Sequence, residues 1–456
     1  MSRISFEWQV ESQRIGRSDG EDPAEKRVRR RKIFLLAALV LMLLVAIGLG
    51  ILFVRQRIHE VERQFAQLLQ DTVKAEVAAL RIGDLNSFLH VQNLDDANWV
   101  NQQRAMFQQY NELKADGVIE LTGSILAVDV DGERARVLVQ ENINALPYAR
   151  LWFYRRAGDG WQHIAPDPSL WGEPRVISTE RATIHYRSAD HAFAQQLSLA
   201  LEDWRRRGCD ILVCGDLPTL AVYIEAGASI ETAWIDDEQM QLRVRSPYID
   251  IVRADMPFDG QLRLQISALL AERLVDAHTD YLVAATPHDA LFLRESAVAW
   301  LSEIFTRLES GAMLMRSLAD NYGADKVARL LAQMTESSDI SLLQAVINQP
   351  LESADLDWSD FLAWRLALEQ SLIRDGREND WLSLYDTSVE SARLAAYARF
   401  NEGAPAQTYR IIDHLVWSGA DGRPQLRATA QLTAKGAAAA EIILFNLVDG
   451  AWKRAS

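Results

Sequence analysis

Ile33 to Val54 reads IFLLAALVLMLLVAIGLGILFV, 22 residues without a charge. As a helix this run covers the roughly 30 Å of a bilayer's hydrocarbon, which constrains the chain more than any other stretch. Residues 26–32, KRVRRRK, hold six basic side chains just before it, whereas Arg55, Arg57 and Arg63 are the nearest beyond. The asymmetry predicts an amino terminus in the cytoplasm and everything after Val54 outside it, at the cell membrane. The run is longer than a secretory signal core and no Ala-x-Ala site follows, so it reads as an uncleaved, single-pass anchor.

Charge divides the two sides. The chain carries −15 overall, but residues 1–32 carry nine Lys or Arg against six Asp or Glu, which leaves −18 beyond the apolar run. So acidic an exterior repels nucleic acid, and no nucleic-acid partner is expected. Residues 1–32 are polar, lack an apolar period, and read as a disordered tail. Cys209 and Cys214 are the only cysteines, within CDILVCG. Read as an extended strand, that segment puts them about 16 Å apart on opposite faces, so they are expected as buried thiols rather than a disulfide.

From Arg55, apolar residues recur at helical spacing: Ile58, Val61, Phe65, Leu68, Leu69, Val73, Val77 and Leu80. Thr72 and Ala75 dilute this seam, so packing on the following domain is expected, with a homodimer left open. A helix over Asp95–Leu113 precedes four alternating strands with turns at Asp131-Gly132 and Gly158-Asp159-Gly160. The order recurs at the carboxyl end. GRENDWLSLYD (376–386) matches GDLNSFLHVQN (83–93) in register, and Gly450-Ala451-Trp452 echoes Gly160-Trp161. Two copies of one unit therefore bracket a middle domain that opens after the prolines at 166, 168 and 174.

In that middle domain two segments read as helices, LRLQISALLAERLVDAHTDYL (262–282) and ESAVAWLSEIFTRLE (295–309). On the residues alone Leu262, Ile266, Leu270, Leu274, Ala277 and Tyr281 form an apolar stripe, and Glu303 precedes Arg307 by one turn as a helix ion pair. Ala271 and Val275 lie four apart on one face with Glu272 beside them. A His-Glu-x-x-His zinc helix has this layout, with imidazoles at the two outer positions. Here only the Glu is present. Over about 175–366 the chain resembles the gluzincin, MA-like, metallopeptidases, with Trp300-Leu301-Ser302-Glu303 at the place of the third zinc ligand. SLADNYGADKVARLLAQM and LESADLDWSDFLAW look like that family's closing helices.

The resemblance implies Glu272 at the general-base position and Glu303 at a ligand position, with Ala271 and Val275 replacing both histidines. It implies a pseudopeptidase without metal, cofactor or catalytic residue, whose cleft binds a peptide or protein outside the cytoplasm. An active hydrolase using Glu272, or a sensor relaying to the amino-terminal tail, are the alternatives. The flanking units, about 71–168 and 366–456, resemble nuclear-transport-factor-2-like or cystatin-like α+β rolls by element order, and no His-Asp pair marks a site in either. No two of the eight histidines stand four apart; His278 and His288 with Glu303 are the nearest thing to an improvised site. Nucleophile-elbow, phosphate-loop and Cys-x-x-Cys motifs are missing. The expectation is an α+β multidomain chain: tail 1–32, transmembrane helix 33–54, helix and roll 55–168, peptidase-like domain 175–365, second roll 366–456.

Overall fold

A computed structural model describes residues 23–455 except 216, 228, 237, 280–287, 336, 404–407 and 435–436. The tail reading for residues 1–22, and Tyr281 and Leu282 in the central stretch, lie outside the described residues. The chain is α+β, with three sheets among the described residues.

Helix α1 (Pro23–Ile82) is one element of 60 residues. Residues 23–32 are thus helical rather than part of a disordered tail: Pro suits the first turn, and the Ala, Glu, Lys and Arg after it are strong helix formers. Within α1, Leu39–Arg57 has a mean hydropathy of 2.3 and touches nothing else, an apolar helix long enough to cross a membrane. Its last third is different. Leu69, Val73, Val77 and Leu80 are buried, on the face the apolar spacing picked out, while Val61 and Leu68 stay exposed.

That buried face belongs to the first roll, with α2 (Leu85–His90), α3 (Ala97–Ala115) and strands β1 (Ile119–Asp131), β2 (Arg134–Ile143), β3 (Leu146–Ala157) and β4 (Gly160–Ile164). Asp84 and Asp96 cap α2 and α3, each accepting from two backbone N–H groups. The strands form an antiparallel meander.

A mixed sheet follows: β5 (Pro174–Ser178), β6 (Ala182–Arg187), then α4 (His191–Leu212), β7 (Leu220–Glu225), β8 (Ala233–Asp236) and β9 (Gln241–Arg245). Its order is β5-β6-β7-β9-β8, with β6, β7 and β9 parallel and both edges antiparallel. LRVRSPYIDIV does not supply this sheet alone. Its second half is β10 (Ile251–Arg253), which pairs with β3 and ties the middle of the chain to the first roll. CDILVCG is not a strand either. The stripe Leu197, Leu201, Trp204, Gly208, Leu212 carries α4 through Cys209, and Val213 ends the helix in the left-handed region at φ 53°. The turn folds Cys214 back on Cys209, 4.8 Å away between Cα atoms, and the two form a disulfide instead of remaining thiols.

The helical part comprises α5 (Gly260–His278), α6 (His288–Thr306), α7 (Met313–Tyr322), α8 (Ala324–Gln333), α9 (Leu342–Ile347) and α10 (Ser359–Arg374). Any Cβ on Gly208 would meet Leu274 at 2.7 Å, so glycine is what lets α4 lie against α5. The boundary at 365/366 falls inside α10, which serves the central core through Phe361 and Leu362 and the second roll through Glu369. The second roll adds α11 (Glu378–Ser383), α12 (Glu390–Glu402) and the meander β11 (Thr408–Ser418), β12 (Pro424–Ala434), β13 (Ala437–Val448) and β14 (Ala451–Arg454). It repeats the first roll element for element. His163 of β4 bridges to Gln92 after α2, as Arg454 of β14 bridges to Tyr385 after α11.

Candidate functional site

Helix α5 turns Ala271 and Val275 into the main core, where neither is exposed. Glu272 points to the other side, half-exposed, and meets Arg294 of α6 at 3.3 Å. The same guanidinium binds Asp276 through Nε at 2.7 Å. Burial pushes the Asp276 carboxyl up despite that partner. Arg294 thus clamps two turns of α5 to α6, and a buried hydroxyl pair, Ser267 and Ser302 at 2.7 Å, closes the crossing below it.

Glu303 is engaged elsewhere. Its Oε1 accepts from Ser310 N at 2.6 Å, Ser310 Oγ at 3.0 Å, Gly311 N at 3.0 Å and Arg316 Nη2 at 2.8 Å, while Arg316 Nε donates to Oε2 at 3.2 Å. Burial alone would raise its pKa, but Arg316 and Ser310 hold it below the usual glutamate value. The pair with Arg307 does not form: Arg307 sits past the helix end at φ 59°, and Arg316, nine residues on, takes its place. Glu303 therefore staples the loop 307–312 and shares no partner with Glu272. Burial pushes His278 down, and the His288 side chain lies outside the described residues. Among the described residues no three His, Cys, Asp or Glu side chains converge as a metal site would need.

Beside Glu272 an open groove of about 550 Å³ runs between α5 and α6, floored by Ala268, Leu269 and Val298. It reaches Thr232, at the start of edge strand β8, where a second hollow of about 460 Å³ adds Arg245, Asp250 and Asp259. Leu264 in the groove is 40% exposed, and on β8, an edge strand of its sheet, Ile235 is 43% exposed. Acids outnumber bases along the walls: Glu231, Asp250, Asp259, Glu272 and Glu295 face Arg245 and Arg294.

The rolls hold charge in the core that the sequence reading assigned to neither. In the first, Glu76 is fully buried and its Oε1 meets His163 Nδ1 at 2.7 Å and Gln92 Nε2 at 2.8 Å, with Tyr154 donating to Oε2 at 2.8 Å. Burial, then the Glu76 charge, holds the Tyr154 phenol far above its ordinary pKa. His163 is walled by Trp99, Trp152 and Tyr154, with ring centres 4.9–5.1 Å away. In the second roll Arg454 stands where His163 does and donates to Glu369 at 2.8 Å and Glu441 at 2.7 Å. Glu76 and Glu369 coincide in the register that aligns Gly83 with Gly376, so the paired acid was readable from the repeat. What hid it was distance: His163 lies 87 residues from Glu76, and Arg454 lies 85 from Glu369.

No family model, no curated protein and no solved structure matches the chain.

Proposed function

We propose that the chain is a single-pass membrane protein with a cytoplasmic amino terminus and an extracytoplasmic remainder, whose centre is a pseudopeptidase that holds an extended peptide or protein segment. The observation that carries this is the pairing of an open groove beside Glu272 with closed core at Ala271 and Val275. Zinc does not fit these residues. Alanine and valine offer no lone pair, and every bond to the Glu303 carboxylate would have to be broken to free it. The groove itself suits a strand. The β8 edge can add backbone hydrogen bonds, the α5 face receives alternate apolar side chains, and the acidic walls favour a segment carrying Lys or Arg. The Cys209–Cys214 disulfide supports an oxidising compartment for this part of the chain.

The test is selection of displayed peptides on the full chain in nanodiscs, followed by Glu272→Lys and Leu264→Asp. Apolar, basic peptides should be enriched and should bind at least tenfold more weakly to either variant, with no cleavage and no stoichiometric zinc. Peptide hydrolysis abolished by Glu272→Gln would replace this reading with an active hydrolase.

A further inference from the structure

A partly open pocket of about 140 Å³ lies between α3, β2 and β3 of the first roll, with Ile249 and Asp250 at one end. Rings form part of its wall, those of Trp99, Tyr110, Trp152, Phe153 and His163, with Met106 beside them. Two polar groups face it with capacity unused. Gln103 is 6% exposed, and its amide oxygen accepts no hydrogen bond from the described residues. His163 also lines the space, with Nδ1 on Glu76 and no partner on its other ring nitrogen among the described residues. A buried acceptor left without a donor costs on the order of 1–3 kcal/mol, which an incoming donor would recover. The charged neighbours are already paired: Glu141 takes Arg150 at 3.3 Å and the Tyr110 hydroxyl at 3.4 Å, and Asp250 takes Arg245 at 2.9 Å. An incoming charge would find no free counter-ion, so an ionic ligand is disfavoured.

We infer that this cavity is a binding site for a neutral, single-ring aromatic molecule with one hydrogen-bond donor, of phenol size, its ring among Trp99, Tyr110 and Trp152 and its donor on Gln103 Oε1. The volume sets the size, since a buried apolar cavity of about 150 Å³ holds one benzene. The second roll does not share the site: Ala392 and Ala396 stand in register with Trp99 and Gln103, and Trp381 donates to the Ala396 carbonyl at 3.0 Å.

Phenol and benzene are titrated into the full chain in nanodiscs, following tryptophan fluorescence and melting temperature. Phenol should bind saturably and at least fivefold tighter than benzene. Gln103→Leu should erase that preference while keeping benzene. Saturation transfer between phenol ring protons and indole protons, measured on the unmutated chain, checks the location without relying on any variant's folding. No saturable phenol binding, an unchanged phenol-to-benzene ratio in Gln103→Leu, or transfer to no indole would each overturn the assignment.

Discussion

Glu76 and Glu369 occupy one slot in two copies of a fold, and the groups set against them differ in kind. The first faces an imidazole, a tyrosine hydroxyl and an amide, all neutral or able to become so, beside a ring-lined cavity. The second faces guanidinium groups that stay charged, Arg454 at 2.8 Å and Arg365 at 3.6 Å, with Glu441 and Arg399 completing a chain of ions. Phe445 replaces the Tyr154 hydroxyl in the equivalent strand position, so the second copy relies on charge where the first relies on hydrogen bonds. The lesson is that a repeated backbone can keep its buried acid and set it against different groups, in one copy a guanidinium and in the other a histidine that lines a pocket.

The widest separation between the copies should come from deleting each partner. Arg454→Leu removes the nearest partner of buried Glu369, leaving it only Arg365 at 3.6 Å, and should cost about 3–5 kcal/mol in denaturant unfolding. His163→Leu leaves Glu76 two donors and should cost less, about 1–3 kcal/mol. Equal losses would break the contrast between the two copies.

The region between the rolls supplies the pH-dependent reference. Burial raises Asp190, Asp289 and Asp360 each to about 6. A carboxyl raised in the folded state binds its proton more tightly there than when unfolded. The stabilisation is therefore full below the unfolded value near 3.8 and is lost as pH rises through about 6. Moving from pH 7 to pH 5 should stabilise the chain by on the order of 1 kcal/mol per group. Asp289→Asn, at a carboxylate whose Oδ2 has no hydrogen-bond partner among the described residues, should flatten the profile of melting temperature against pH by about a third. A profile unchanged by that substitution would move the titration to other groups. The smallest effect expected is that of Tyr154→Phe, about 1 kcal/mol, because it rebuilds in the first roll what Phe445 already is in the second.

The repeat was legible because glycine and aromatic positions mark it locally: Gly83 and Gly376 both take positive φ, and Phe88 and Trp381 are both buried behind them. The apolar run and the helix stripe through Leu69 and Val77 were legible for the same reason, a period within one element. Cys209 was misread because Asp-Ile-Leu-Val has the composition of a strand, and only the tertiary continuation of the Trp204 stripe makes it helix. The loop staple at Glu303 was beyond reach, since one turn of spacing favours Arg307 and only the bend at Gly311 brings Arg316 in instead. Ala271 and Val275 are fully buried, which agrees with their reading as a widening of the apolar stripe through Leu270 and Leu274.

Between Arg55 and Ile82 helix α1 contains neither glycine nor proline, and Glu76 is one of its residues. A helix unbroken by glycine or proline offers no swivel between the pocket and the lipid-length segment below. Where that segment crosses a bilayer, the twenty-two positions from Val54 to Glu76 set a stand-off of roughly 33 Å. Because Leu69, Val73, Val77 and Leu80 of the same helix are buried in the first roll, shaft and roll are one body, and the acid that grips His163 keeps a fixed height above that segment.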